Sequence, residues 1–133
     1  LSGFHWPVRI YWEDTDAGGV VYYANYLRYL ERCRTEWLRS RGVSQQALAA
    51  QRGVQFMVLG VEIAYKAPAR LDDLLDVTCA MQPEGRTTVI FDQQVWREAT
   101  SESARELLVE ARVRVVCVDA KTLRPRRIGE HLQ

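Results

Sequence analysis

From Val54 onward the chain is written with an apolar period of two, and this restricts its fold more than any other feature. Val54, Phe56 and Val58 alternate; after Leu59-Gly60 the apolar set changes phase to Val61, Ile63 and Tyr65. Leu75, Val77, Cys79 and Met81 repeat the pattern, then Val89, Phe91 and Val95. A longer run follows, Val109, Ala111, Val113, Val115 and Cys117, with Glu110, Arg112 and Arg114 between its members. Such alternation is the mark of strands with one buried face. The phase slip at Gly60 predicts a bulge or sharp bend. Ala67-Pro68-Ala69-Arg70, Pro83-Glu84-Gly85 and the polar residues 98–103 separate the runs. Strands joined by such short connections run antiparallel.

The first half of the chain is different. Val8, Ile10 and Trp12 alternate with Arg9 and Tyr11, which predicts one more short strand. A helix is expected over residues 25–41, where Tyr26, Leu27, Leu30, Cys33, Trp37 and Leu38 keep helical spacing on one broad face. Asn25 is its expected N-cap and Gly42 its stop. Ser44 heads a second, shorter helix through about Arg52, closed by Gly53. One long helix with one apolar face has a single economical place, against one face of the sheet. The predicted architecture is α+β, a long central helix wrapped by a five-stranded antiparallel sheet. There is no repeat, linker or low-complexity segment, so residues 1–133 are expected to form a single domain.

Composition removes several classes of function. The net charge is +1, so no overall field points to nucleic acid or an acidic membrane surface. Of 18 basic residues only Lys66 and Lys121 are lysines. Arginine forks suit phosphate and carboxylate, but a GC-rich genome produces the same bias. No apolar run approaches the roughly 20 residues of a membrane-spanning helix, and no signal-peptide pattern is visible. Cys33, Cys79 and Cys117 are sparse and never paired as C-x-x-C, which reads as reduced thiols in a cytoplasmic protein. His5 and His131 are the only histidines and stand near the ends, against a zinc site or a Ser-His-Asp triad. No metal and no cofactor is expected. The four Trp and six Tyr are expected mostly at core-facing positions.

The stretch that carries chemistry is Tyr11 to Tyr26, Y-W-E-D-T-D-A-G-G-V-V-Y-Y-A-N-Y. Glu13, Asp14 and Asp16 end a strand, two glycines follow, and then the long helix begins. Clustered carboxylates can set up an acid or base. Glycines let backbone approach a ligand closely. The start of the helix offers unpaired N–H groups and the positive end of its dipole, which suit a developing oxyanion. Together these are a minimal acyl-transfer site; a solvated turn with an N-capping aspartate is the equal alternative on chemistry alone.

The same stretch resembles the signature of the 4-hydroxybenzoyl-CoA thioesterase family, in which a strand enters D-x-D-x-x-G-x-V-x-Y and then the helix of a hotdog fold. The resemblance is strongest to the bacterial branch encoded beside the Tol-Pal envelope system, the YbgC-type acyl-CoA thioesterases. It is carried by R-I-Y-W-E-D-T-D-A-G-G-V-V-Y from Arg9, Y-L-E-R-C-R-T-E-W-L from Tyr29, Y-K-A-P-A-R-L-D-D from Tyr65 and V-V-C-V-D from Val115. The resemblance implies a hotdog fold, a homodimer or homotetramer with the site between subunits, and hydrolysis of acyl-CoA or an acyl carrier protein thioester. It places the catalytic carboxylate at Asp16, as nucleophile or as base for a water, and the backbone N–H that meets the carbonyl oxygen at Tyr23. Gly19 and Val20 would border the substrate. Arg86, Arg124 and Arg126 would hold the phosphates of CoA, unless they form only a solvated turn and tail. The Tol-Pal-associated branch usually carries His where Tyr23 stands.

Asp14 rivals Asp16 on chemistry, with support of the turn as its expected role. Glu31 and Glu36 are expected to pair with Arg28, Arg32 or Arg34 at helical spacing. A non-catalytic module that binds acyl thioesters or docks on lipid-synthesis proteins is the first rival, although it would not need the acid and glycines. A hotdog dehydratase is the second, and it lacks its histidine.

Overall fold

The computed structural model describes residues 3–129, so His131 lies outside the described residues. Strand β1 (Phe4–Arg9) leads through a short 3-10 turn (Trp12–Asp14) to helix α1 (Asn25–Ser40) and helix α2 (Gln45–Arg52). Strands β2 (Val54–Tyr65), β3 (Leu74–Glu84), β4 (Thr88–Arg97) and β5 (Glu106–Asp119) follow. They form one sheet in the order β1-β3-β4-β5-β2, with every pairing antiparallel. α1 packs on β1 and β3, and α2 on β2. The expected α+β architecture is therefore the observed one.

The local signals explain most boundaries. Ser44 caps α2 by accepting from Ala47 N–H, and Gly53 ends it at φ +67°, a conformation that suits glycine. The bulge falls where the phase slip predicts it: the β2–β5 register passes from Val58↔Val115 to Gly60↔Arg114. The core lies between α1 and the sheet face of Leu75, Val77, Val95, Val109 and Val113. All three cysteines are buried in it and free.

Four expectations are corrected. β1 ends at Arg9, because Asp14 accepts from Tyr11 N–H at 2.8 Å and winds the next residues into the 3-10 turn; Trp12 leaves the sheet and is 78% exposed. The buried face of α1 holds Tyr29 in place of Leu27, because the helix leans toward β1 and β3. Glu36 pairs with Arg39 and Glu31 accepts from the Thr35 hydroxyl, rather than either meeting Arg28, Arg32 or Arg34. The aromatic residues are not mostly in the core: Tyr11, Trp12, Tyr22, Tyr23 and Tyr65 are exposed. They sit in the loop before α1 or at the end of an edge strand, where the described residues leave them in solvent.

Candidate active site

The turn after β1 is built from its own backbone. Asp16 N–H donates to Val20 carbonyl at 2.9 Å, and Gly19 N–H to Asp16 carbonyl at 3.0 Å. Gly19 takes φ +79°, where a side chain would be strained. Gly18 N–H donates to Asp16 Oδ1 at 2.8 Å, which turns the carboxylate into a fixed position on the exposed side of the turn. Asp16 Oδ2 meets no hydrogen-bond partner among the described residues and is left for a ligand or water.

Asp14 ties this turn to the helix. Its carbonyl accepts from both Tyr22 N–H (3.0 Å) and Asn25 Nδ2 (2.8 Å), while its carboxylate is occupied by Tyr11 N–H. Asn25 is therefore the first residue of α1 and an anchor, not the N-cap; Ala24 holds the cap position without a side-chain hydrogen bond. Asn25 N–H donates to Tyr22 carbonyl at 2.9 Å, and Tyr26 N–H to Tyr23 carbonyl at 3.4 Å. The Tyr65 hydroxyl donates to the same Tyr23 carbonyl at 3.2 Å. The peptides on either side are held through these bonds, and Tyr23 N–H, like Ala24 N–H beside it, has no acceptor among the described residues. An oriented, unpaired N–H at the start of a helix is a ready donor to an oxyanion.

The segment after β2 supplies the other wall. Val21 N–H donates to Ala69 carbonyl, Val20 bridges Arg70, and Ala69 N–H donates to the buried hydroxyl of Tyr26. Asp73 accepts from Arg70 N–H and closes that segment. Two stretches far apart in sequence, residues 9–22 and 65–73, thus form one unit. Burial pushes the Tyr26 hydroxyl pKa up, so it stays neutral and able to accept.

Asp16, Gly19 and Val20 share one hydrogen-bonded turn, and Tyr23 stands after it at the start of α1. Arg86, Arg124 and Arg126 lie elsewhere in the chain, at the β3–β4 turn and in the tail after β5. Arg126 donates to Asp119 at 3.0 Å, whereas Arg86 shares a groove of about 510 Å³ with Arg127, a residue that the sequence pattern did not single out. Tyr65, Asn25 and Arg70 were missed as parts of the site as well. Tyr65 and Arg70 carried a signal as members of the Y-K-A-P-A-R-L-D-D stretch, and Asn25 as the expected N-cap. Among the described residues no three potential metal ligands gather at one point.

Known proteins resemble this chain in sequence and fold. The chain is 47% identical to the acyl-CoA thioester hydrolase YbgC of Escherichia coli O6:H1, over 97% of this chain and 92% of that protein. It is 42% identical to the acyl-CoA thioesterase YbgC of Haemophilus influenzae, over 93% and 87%. Its fold superposes with a TM-score of 0.87 on 4-hydroxybenzoyl CoA thioesterase at 20% identity, covering both chains completely. Residues 10–133 match the family model of the thioesterase-like superfamily, which contains the site just described almost whole, and the chain belongs to that family.

Proposed function

We propose that this protein hydrolyses the thioester of acyl-CoA, with Asp16 as the reacting carboxylate. The observation that carries the reading is a carboxylate fixed by Gly18 N–H on a turn that leads into a helix start with an unpaired N–H, the turn being tied to that helix by the Asp14 carbonyl. The thioester carbonyl oxygen is received by Tyr23 N–H, which stabilises charge as it develops there. Asp16 Oδ2 attacks the carbonyl carbon, or takes a proton from a water that does. The C–S bond breaks and CoA leaves as a thiolate that takes up a proton; where Asp16 is the nucleophile, water then hydrolyses the acyl-aspartate anhydride, which restores Asp16 and releases the acyl group as a carboxylate. Gly19 and Val20 border the reacting carbon, and nothing lies within 4 Å of where a Cβ on Gly19 would stand. The names of the YbgC relatives support the acyl-CoA substrate; an acyl carrier protein thioester presents the same bond.

The remaining parts of the reading concern assembly and the nucleotide. Edge strand β2 exposes Met57, Val58, Leu59 and Val61, which suits a homodimer or a tetramer built from it. Arg86 and Arg124 have no acidic partner among the described residues and are free to meet CoA phosphates, while Arg126 is already paired with Asp119.

Asp16→Asn tests the chemistry. It keeps the side chain's shape and its bond from Gly18 but removes charge and nucleophilicity. We expect kcat on acyl-CoA to fall by about 10²–10⁴ with an unchanged melting curve. Asp14→Asn should cost much less, since an amide oxygen can still accept from Tyr11 N–H. Near-normal turnover by Asp16→Asn, or loss confined to Asp14→Asn, would remove Asp16 from the reaction.

A further inference from the structure

The turn that opens α1 is wound more tightly than the helix it starts. The Tyr22, Tyr23 and Ala24 carbonyls accept in succession from Asn25, Tyr26 and Leu27 N–H, at 2.9, 3.4 and 3.2 Å. Each bond joins residues three apart, as in a 3-10 turn, and Ala24 has the right-handed backbone (φ −69°, ψ −20°) that this requires. In such a turn the N–H groups all point back toward its start. Tyr23 and Ala24 N–H come first in the series, and neither has an acceptor among the described residues. The two donors therefore point the same way, at the end of the loop that carries Asp16.

The Tyr23 carbonyl has the longest bond of the three, and it takes a second donor. This is the Tyr65 hydroxyl at 3.2 Å, from the last residue of β2 and 42 positions away in the chain. Pairing with Val109 of β5 fixes the Tyr65 backbone. The Tyr65 ring stands edge-on to Tyr23, with centroids 6.1 Å apart, and lies 5.6 Å from Tyr26. A tyrosine has two side-chain torsions, so contacts with two other rings settle where its hydroxyl points. Burial, and after it the neighbouring Tyr23, pushes the Tyr65 pKa up, so the hydroxyl keeps its proton at neutral pH and donates.

The Tyr23 carbonyl and the Ala24 N–H are the two ends of one planar peptide. A donor on its oxygen holds that plane and polarises the amide, which strengthens the N–H at the other end. We propose that Tyr65 is a positioning residue, whose hydroxyl on the Tyr23 carbonyl aims the Ala24 N–H as a second donor to the thioester oxygen, beside the Tyr23 N–H. This rests on the reading of Asp16 and Tyr23 as the place of thioester cleavage. Tyr65 touches no reacting atom and acts only through the peptide. What it strengthens is the hold on negative charge that develops on the oxygen, so it serves kcat rather than substrate binding.

The test is Tyr65→Phe, which keeps both ring contacts and removes the hydroxyl alone. On acyl-CoA its kcat should fall by about three- to tenfold, with KM and the melting curve unchanged. The fall is modest because Tyr65 is 45% exposed and water takes over part of the bond. A second measurement reads the oxygen directly, as the infrared carbonyl stretch of acyl-CoA isotope-labelled at its thioester and bound to Asp16→Asn. Adding Tyr65→Phe to that variant should move the stretch to higher frequency, because the oxygen is less strongly polarised. Parent-level kcat in Tyr65→Phe, or an unmoved stretch, would overturn the inference. So would a raised KM at unchanged kcat, which marks the hydroxyl as a binding or packing group. Near-normal turnover by Asp16→Asn would instead overturn the reading of the site on which the inference rests.

Discussion

Tyr29 shows how far a single side chain can depart from what its sequence neighbourhood implies. Its hydroxyl is fully buried and without a hydrogen-bond partner among the described residues, while its ring packs edge-on against Tyr26. Burial, and after it the Asp14 carboxylate, pushes its pKa up. The hydroxyl reaches Asp14 without a close hydrogen bond, so Tyr29→Phe should change the melting temperature little. The raised folded pKa of a tyrosine favours the neutral form. The stability it contributes is thus complete below the ordinary value of about 10 and is lost as pH rises through the folded value. Melting temperatures measured from pH 8 to 11 should fall less steeply in Tyr29→Phe than in the parent. Asn25 is the opposite case, a polar side chain whose one bond to the Asp14 carbonyl holds the turn to the helix. Asn25→Ala should cost about 1 kcal/mol of stability. It should also lower kcat more than it raises KM, because the Tyr23 N–H loses its set direction toward the oxyanion. Rates and a thermal melt on the same preparation check both. Asp16 was singled out at this scale only through the family signature; the structure adds that Asp14 accepts from Tyr11 N–H and Asp16 from Gly18 N–H.

At the scale of elements, the tail after β5 is the instructive part. Asp119 N–H donates to Arg124 carbonyl, Arg126 N–H to Cys117 carbonyl and Ile128 N–H to Arg86 carbonyl, so the tail folds back and buries Ile128. Asp119 is held below the usual carboxylate range first by the backbone N–H groups of Thr122 and Lys121. These bonds give the three arginines unequal roles that their spacing in K-T-L-R-P-R-R does not reveal. Arg126→Ala should reduce stability only slightly, as for an exposed pair, and change KM little. Arg86→Ala and Arg124→Ala together should raise KM for acyl-CoA several-fold and leave acyl-pantetheine turnover nearly unchanged, because that substrate lacks the phosphates. Equal effects on the two substrates would mark these arginines as structural. The helices and the last four strands were readable from periodicity and caps, because those signals are local. The end of β1 was not, because Asp14 overrides an alternation that continues to Trp12.

For the whole molecule, the decisive fact is that the sheet ends on β2 with apolar side chains in solvent. Val58 is 49% and Leu59 56% exposed, beside the exposed tyrosines at the mouth of the site. An edge of this kind invites pairing with another copy. The protein should sediment as a dimer or larger at micromolar concentration, and Met57→Lys with Leu59→Lys should shift it toward monomers. If the site lies between subunits, the same double variant should lose activity in step with dissociation. A monomeric parent with full activity would remove the interface from the reading. The sequence by itself determined the α+β architecture, the bulge at Gly60, the cap at Ser44 and, through its resemblance, the segment that holds Asp16. Each of these depends on residues adjacent in the chain or on a pattern repeated along it. Only the tertiary structure decided that residues 65–73 wall the turn, that Tyr65 and Asn25 pin the peptides around the Tyr23 N–H, and that Arg126 is paired while Arg86 and Arg124 are not. It also decided that Leu27 stands exposed rather than in the core. Those outcomes follow from the lean of α1 toward β1 and β3 and from hydrogen bonds between distant segments, which no local period or spacing records.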